Sequence, residues 1–73
     1  MAELPVVSGR EARAAFERLG WVFRRQTGSH MILTKPGHVA SLSIPDHREL
    51  APGTLRKLIR AAGITVEQFC AAL

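Results

Sequence analysis

A chain of 73 residues with ten Lys/Arg against six Asp/Glu, a formal net charge of +4, has the size of one small domain near the lower limit for folding on a single core. Its 47% apolar content argues against wholesale disorder, and its single cysteine excludes an intramolecular disulfide, so packing or a bound partner must hold the fold and a cytoplasmic setting fits. The opening residues lack the basic and apolar regions of a signal peptide, no apolar run approaches the roughly 18 residues of a membrane span, and the positive balance favours RNA, DNA or an acidic protein as partner.

Residues 1–7 read as an extended lead-in, with Pro5 and two valines available to cover an edge of the core. Ser8-Gly9-Arg10-Glu11 matches a capping box, a hydroxyl at the N-cap with a glutamate three residues on. Ala12, Ala15, Phe16 and Leu19 follow at the spacing of one helical stripe, which predicts a first helix over 9–19, and Gly20 suits the position that ends it. Trp21–Gln26 is aromatic and β-branched, then polar, and reads as a strand. Thr27-Gly28-Ser29 is a turn and His30–Thr34 a second strand. Lys35-Pro36-Gly37-His38 holds a Pro-Gly turn, and Val39–Ile44 alternates as a third strand with Ala40, Leu42 and Ile44 on one face. In the second strand Met31 and Leu33 then face the core, and His30 and Ile32 the open side.

Pro45 ends the third strand, and a polar connection leads to Pro52, which is acceptable only in a helix's first turn. The second helix therefore begins near 52–54 and buries Leu55, Leu58, Ile59 and Ala62, leaving Arg56, Lys57 and Arg60 as a basic strip. Gly63 closes it. Thr65-Val66-Glu67-Gln68 is a second capping box, opening a short third helix with Val66, Phe69, Cys70 and Leu73 on its apolar side. The expected fold is α+β, in the order α-β-β-β-α(-α), a three-stranded antiparallel sheet with the helices packed on one face. This is the arrangement of double-stranded-RNA-binding domains.

Arg24–Met31 departs from that scaffold pattern by setting a histidine beside a turn glycine and two arginines. RNA is cut when its own 2′-hydroxyl attacks the adjacent phosphorus, which requires a group that gives and takes protons near neutrality, and imidazole does so. His30 is the candidate. Arg24, Arg25 and Lys35, with the backbone around Gly28 and Ser29, are candidates for holding phosphate. By position alone, His30 also fits a half-buried strand histidine satisfied locally. His47 fits a surface loop residue or an auxiliary RNA or acid/base group, and His38 a turn residue. Spacings of eight and nine residues between the three histidines match no common zinc pattern, and Cys70 sits on an apolar stripe, so neither a metal nor another cofactor is expected. The strip Arg56, Lys57, Arg60 fits RNA phosphates, an acidic protein partner or a solvated helix face. Trp21 and Phe23 fit core positions better than base-stacking platforms.

Arg25-Gln26-Thr27-Gly28-Ser29-His30 resembles the R-Q-x-G-S-H signature of the HicA-type mRNA interferase toxins. Ile44-Pro45-Asp46-His47, the run Gly53-Thr54-Leu55-Arg56-Lys57-Leu58-Ile59 and Ala62-Gly63-Ile64 are similar to the second half of that family. Ser8-Gly9-Arg10-Glu11 leading into Leu19-Gly20-Trp21 is similar to its start. The resemblance covers residues 6–73 in order. It implies one HicA-like domain over residues 1–73, with a double-stranded-RNA-binding-like fold, that acts as a metal-independent endoribonuclease on mRNA. It also implies that His30 is the catalytic histidine preceded by the family's Gly28 and Ser29, and that a HicB-type antitoxin neutralises the protein in a hetero-oligomer. The alternatives are a non-catalytic RNA-binding module of the same fold and a protein-interaction domain.

Overall fold

The computed structural model describes residues 3–73. Its elements run α1 (Gly9–Arg18), β1 (Val22–Thr27), β2 (His30–Thr34), β3 (Leu42–Pro45), α2 (Pro52–Ala62) and α3 (Val66–Ala71). The strands form one antiparallel sheet in the order β1-β2-β3, so β2 is central and both neighbours pair with it. The α+β class and the α-β-β-β-α-α order expected from the sequence are the observed ones.

Both predicted capping boxes form. The Ser8 hydroxyl accepts from the Glu11 amide at 3.0 Å and the Glu11 carboxylate accepts from the Ser8 amide at 2.8 Å; Thr65 and Gln68 do the same for α3. Together these satisfy donors that a helix start leaves free. The stripe of α1 (Ala12, Ala15, Phe16) and that of α2 (Leu55, Leu58, Ile59, Ala62) are buried against Met31, Leu33, Leu42 and Ile44 of the sheet. Phe69 of α3 closes the core, its ring 5.1 Å from that of Phe16, and Arg18 donates to the Ala72 carbonyl at 2.8 Å to tie α3 to α1. The lead-in joins through Val7, which is buried and whose carbonyl accepts from the Leu50 amide at 2.8 Å.

The first helix ends at Arg18 with Leu19 as its cap, and the third strand is shorter than expected. Residues 39–41 lie outside the ladder, with Val39 fully exposed and Ala40 exposed rather than facing the core. The register explains this. Leu33 pairs with Leu42, a register in which Lys35 would face Ala40, but the tight turn brings His38 to Lys35, so two residues between His38 and Leu42 are left over. The chain leaves the sheet instead in a turn closed by the His38 amide on the Lys35 carbonyl at 3.0 Å, with the His38 ring 4.9 Å from that of Trp21. The turn histidine thus also covers the buried indole.

Candidate nucleic-acid interface

All helices lie on the Met31 and Leu33 side, so the other face of the sheet is open. His30 starts the central strand on that open face, paired with Thr27 on one side and Pro45 on the other. It is exposed, whereas Met31 and Leu33 on the opposite face are 1% and 0% exposed. Two residues, Gly28 and Ser29, connect β1 to β2. Only Gly28 has positive φ, +60°, which is the signature of a type II′ hairpin turn and calls for glycine at its first central position. That turn sets the pairing Thr27↔His30 and with it the face His30 occupies.

Strict alternation along β1 would put Arg24 and Arg25 on opposite faces. The ladder does not alternate strictly: Phe23 pairs with Leu33, and Arg25 rather than Arg24 pairs with Ile32, the mark of a β-bulge. Arg24 is the extra residue, and its guanidinium donates to the Thr34 hydroxyl at 2.7 Å on the open face. Arg25 shares that face through its partner Ile32. Both arginines therefore join His30, and Gln26, paired with Met31, turns to the helical side. Arg25 is the diagonal neighbour of His30, roughly 7–8 Å away between Cα atoms, within reach of a long side chain. Among the described residues its guanidinium has no hydrogen-bond or ion-pair partner.

None of the three strands carries an acidic residue. The open face presents Arg24, Arg25, Thr27, His30, Ile32, Thr34 and Ser43, a surface that attracts anions and has no carboxylate to repel them. Among the described residues it also has no aromatic ring. Trp21 is buried, and Phe23 lies on the core side with the Arg13 guanidinium 3.8 Å from its ring centroid.

Beneath His30, on the helical side, a polar cluster secures the end of the sheet. Asp46 follows Pro45, and its carboxylate receives Arg10 of α1 at 3.1 and 3.3 Å and the Gln26 amide at 3.4 Å. Its own amide donates to the Ser29 carbonyl at 2.6 Å. One residue on, the His47 carbonyl accepts from the Gly9 amide at 2.9 Å. The Arg10 hydrogen bond pulls the Asp46 carboxyl below its usual range; partial burial opposes this, and Gln26 and the charges of Arg10 and His47 add to the lowering. A depressed carboxylate contributes stability that is complete above its unfolded pKa of about 4 and is lost as pH falls below it. The urea midpoint is therefore expected to fall below pH 4 more steeply in the wild type than in Asp46→Asn, by a modest amount because the Arg10 side chain is 81% exposed. Parallel profiles would remove the pair from the acid response.

Of the other predicted site residues, Lys35, Arg56, Lys57 and Arg60 are not gathered around His30. Lys35 lies just past the far end of β2, roughly 16 Å along the strand from His30, with its side chain beside Gly20. Arg56, Lys57 and Arg60 are exposed on α2, in the layer behind the sheet, so they form a second basic surface and not an extension of the first. His47 is exposed in the connection two residues beyond the pairing partner of His30. Gly28 and Ser29 form the turn itself. Sequence reasoning missed the bulge and the Gln26–Asp46–Arg10 cluster. Three consecutive polar residues, Arg24-Arg25-Gln26, directly after the apolar run Trp21-Val22-Phe23 were the available sign of the bulge; contacts across 20 and 36 positions left no sign at all.

Fold and surface together define a small basic α+β protein with an exposed histidine on an acid-free sheet face. Residues 9–64 match the family model of the HicA toxin of bacterial toxin–antitoxin systems, and the chain belongs to that family. No curated protein matches it in sequence. Among the described residues, no helix is long and apolar enough to cross a membrane.

Proposed function

We propose that this HicA-family toxin is a metal-independent endoribonuclease acting on mRNA in the cytoplasm, with His30 as its general acid/base, and that a HicB-type antitoxin neutralises it by binding. The observation that carries the reading is the exposed His30 on the open face with Arg25, unpartnered among the described residues, diagonal to it. In the reaction the 2′-oxygen bonds to phosphorus and the bond to the 5′-oxygen breaks; a proton leaves the 2′-hydroxyl and one reaches the departing 5′-oxygen. His30 moves one of these protons, and Arg25 stabilises charge on the phosphoryl oxygens. An open face without aromatic rings favours recognition of the sugar–phosphate backbone over stacking on bases.

Arg25→Ala is expected to lower kcat/KM on the order of tenfold to a hundredfold, the worth of one or two hydrogen bonds to charged groups. Arg24→Ala is expected to lower it less, because that guanidinium is already engaged by Thr34. Equal losses would show that Arg25 has no privileged place.

The reading as a whole is tested by incubating the purified protein with end-labelled single-stranded RNA in the presence of a chelator. Cleavage of RNA, with a DNA strand of the same sequence left whole for want of a 2′-hydroxyl, is expected. Salt-dependent RNA binding without cleavage in any condition would instead make the protein an RNA-binding module.

A further inference from the structure

We infer that Gln26 is a positioning residue for His30, acting through the β1–β2 turn and Asp46 and making no contact with RNA. The inference rests on the proposed catalytic role of His30.

The bulge at Arg24 turns Gln26 away from the open face and onto the helical side of the sheet. From there its amide nitrogen donates to the Gly28 carbonyl at 3.2 Å and to the Asp46 carboxylate at 3.4 Å. Asp46 in turn donates from its backbone to the Ser29 carbonyl at 2.6 Å and is fixed to α1 by Arg10. A closed circuit results: β1 to the turn, the turn to the end of β3, and the end of β3 back to β1. It passes under the start of β2 and includes both residues that precede His30. Apart from the strand ladder, these bonds are what tie the turn to the rest of the protein among the described residues. Every residue from Arg24 to His30 is exposed, so among the described residues little apolar packing fixes the hairpin tip.

The chemistry selects an amide. The position must donate twice, to a carbonyl and to a carboxylate; an amide nitrogen carries two protons, whereas a glutamate offers none. A cation could donate as well but would compete with Arg10 for Asp46. Catalysis depends on this placement because proton transfer requires the imidazole within hydrogen-bond reach of the moving proton, and a 1 Å error is enough to lose much of the rate.

The test uses the full chain and a fluorophore-labelled single-stranded RNA, far below the melting temperature of every variant. Gln26→Glu keeps the size, removes both donors and sets a carboxylate against Asp46. It is expected to lower kcat on the order of tenfold with KM nearly unchanged, the pattern of a displaced catalytic group. Combining Gln26→Glu with Asp46→Asn reverses donor and acceptor, and is expected to restore part of kcat. A raised KM at unchanged kcat would make Gln26 an RNA contact and overturn the inference. An unchanged Gln26→Glu enzyme, beside an inactive His30→Ala, would also overturn it while leaving the catalytic reading intact. A fully active His30→Ala would overturn the catalytic reading itself.

Discussion

His30→Ala is expected to lose RNA cleavage by roughly 10²–10⁴-fold, the contribution of one positioned acid/base group, while keeping its fold and its affinity for RNA. The separation follows from where the side chain lies. His30 is exposed and outside the hydrophobic cluster, and surface truncations of that kind usually change stability by no more than about 0.5 kcal/mol. The basic character of the face rests on Arg24 and Arg25, which the substitution leaves in place. Cleavage rates and filter binding on one preparation would read both quantities, and induced expression would add growth and mRNA integrity. Cleavage at the wild-type rate would remove His30 from the chemistry. Loss of binding together with cleavage would make it a contact residue.

Gly9→Ala is expected to be among the most destabilising single-methyl additions in the chain, although alanine is the better helix former. A Cβ at Gly9 would overlap the Pro45 carbonyl oxygen and stand 3.0 Å from the Pro45 carbonyl carbon and 3.3 Å from the Asp46 Cα. These are backbone atoms and cannot rotate aside. They are also fixed from both directions, since Gly9 donates to His47 at 2.9 Å and Asp46 donates to Ser29 at 2.6 Å. The favourable helix propensity of alanine, about 1 kcal/mol over glycine, opposes a packing cost of about 1–3 kcal/mol or more. The clash wins because relief requires moving the start of α1 away from the sheet. A net loss of up to about 2 kcal/mol corresponds to a melting temperature lower by up to roughly 16 °C for a chain of this size. Gly53→Ala in the first turn of α2 is the control, because a Cβ there meets nothing within 4 Å and should be neutral or stabilising. A Gly9→Ala protein melting at or above the wild type would show that this junction yields freely. Pro45 also pairs with His30, so any surviving Gly9→Ala protein should cleave RNA more slowly as well.

Local signals carried most of the fold. Two capping boxes, two apolar stripes and a Gly-Ser turn each act within a few residues, and each formed where its chemistry called for it. The faces of His30, Met31 and Leu33 were legible for the same reason, since alternation counted from the turn reaches them at once. Lys35 is close to the arginines in the chain, but the length of a strand separates it from them in the fold. The strip of Arg56, Lys57 and Arg60 was legible as exposed; that it lies behind the sheet depends on how α2 packs against β3, a long-range choice. The late start of the third strand turned on a mismatch between the 35–38 turn and the ladder, which shows only once the pairing register is known.

The bulge has a meaning for β1 as a whole. The strand is phased twice, from two ends that do not agree. Trp21 and Phe23 take their phase from the core, where the indole is buried and Phe23 opposes Leu33. Arg25, Gln26 and Thr27 take theirs from the hairpin turn, counting back from Gly28. The two counts differ by one, and Arg24 absorbs the difference. The scaffold and the site are thereby decoupled within a single six-residue strand. Substitutions that shift how the core end packs need not rotate the site end, and the side of the sheet on which Arg25 and Gln26 stand is governed by the turn that also places His30.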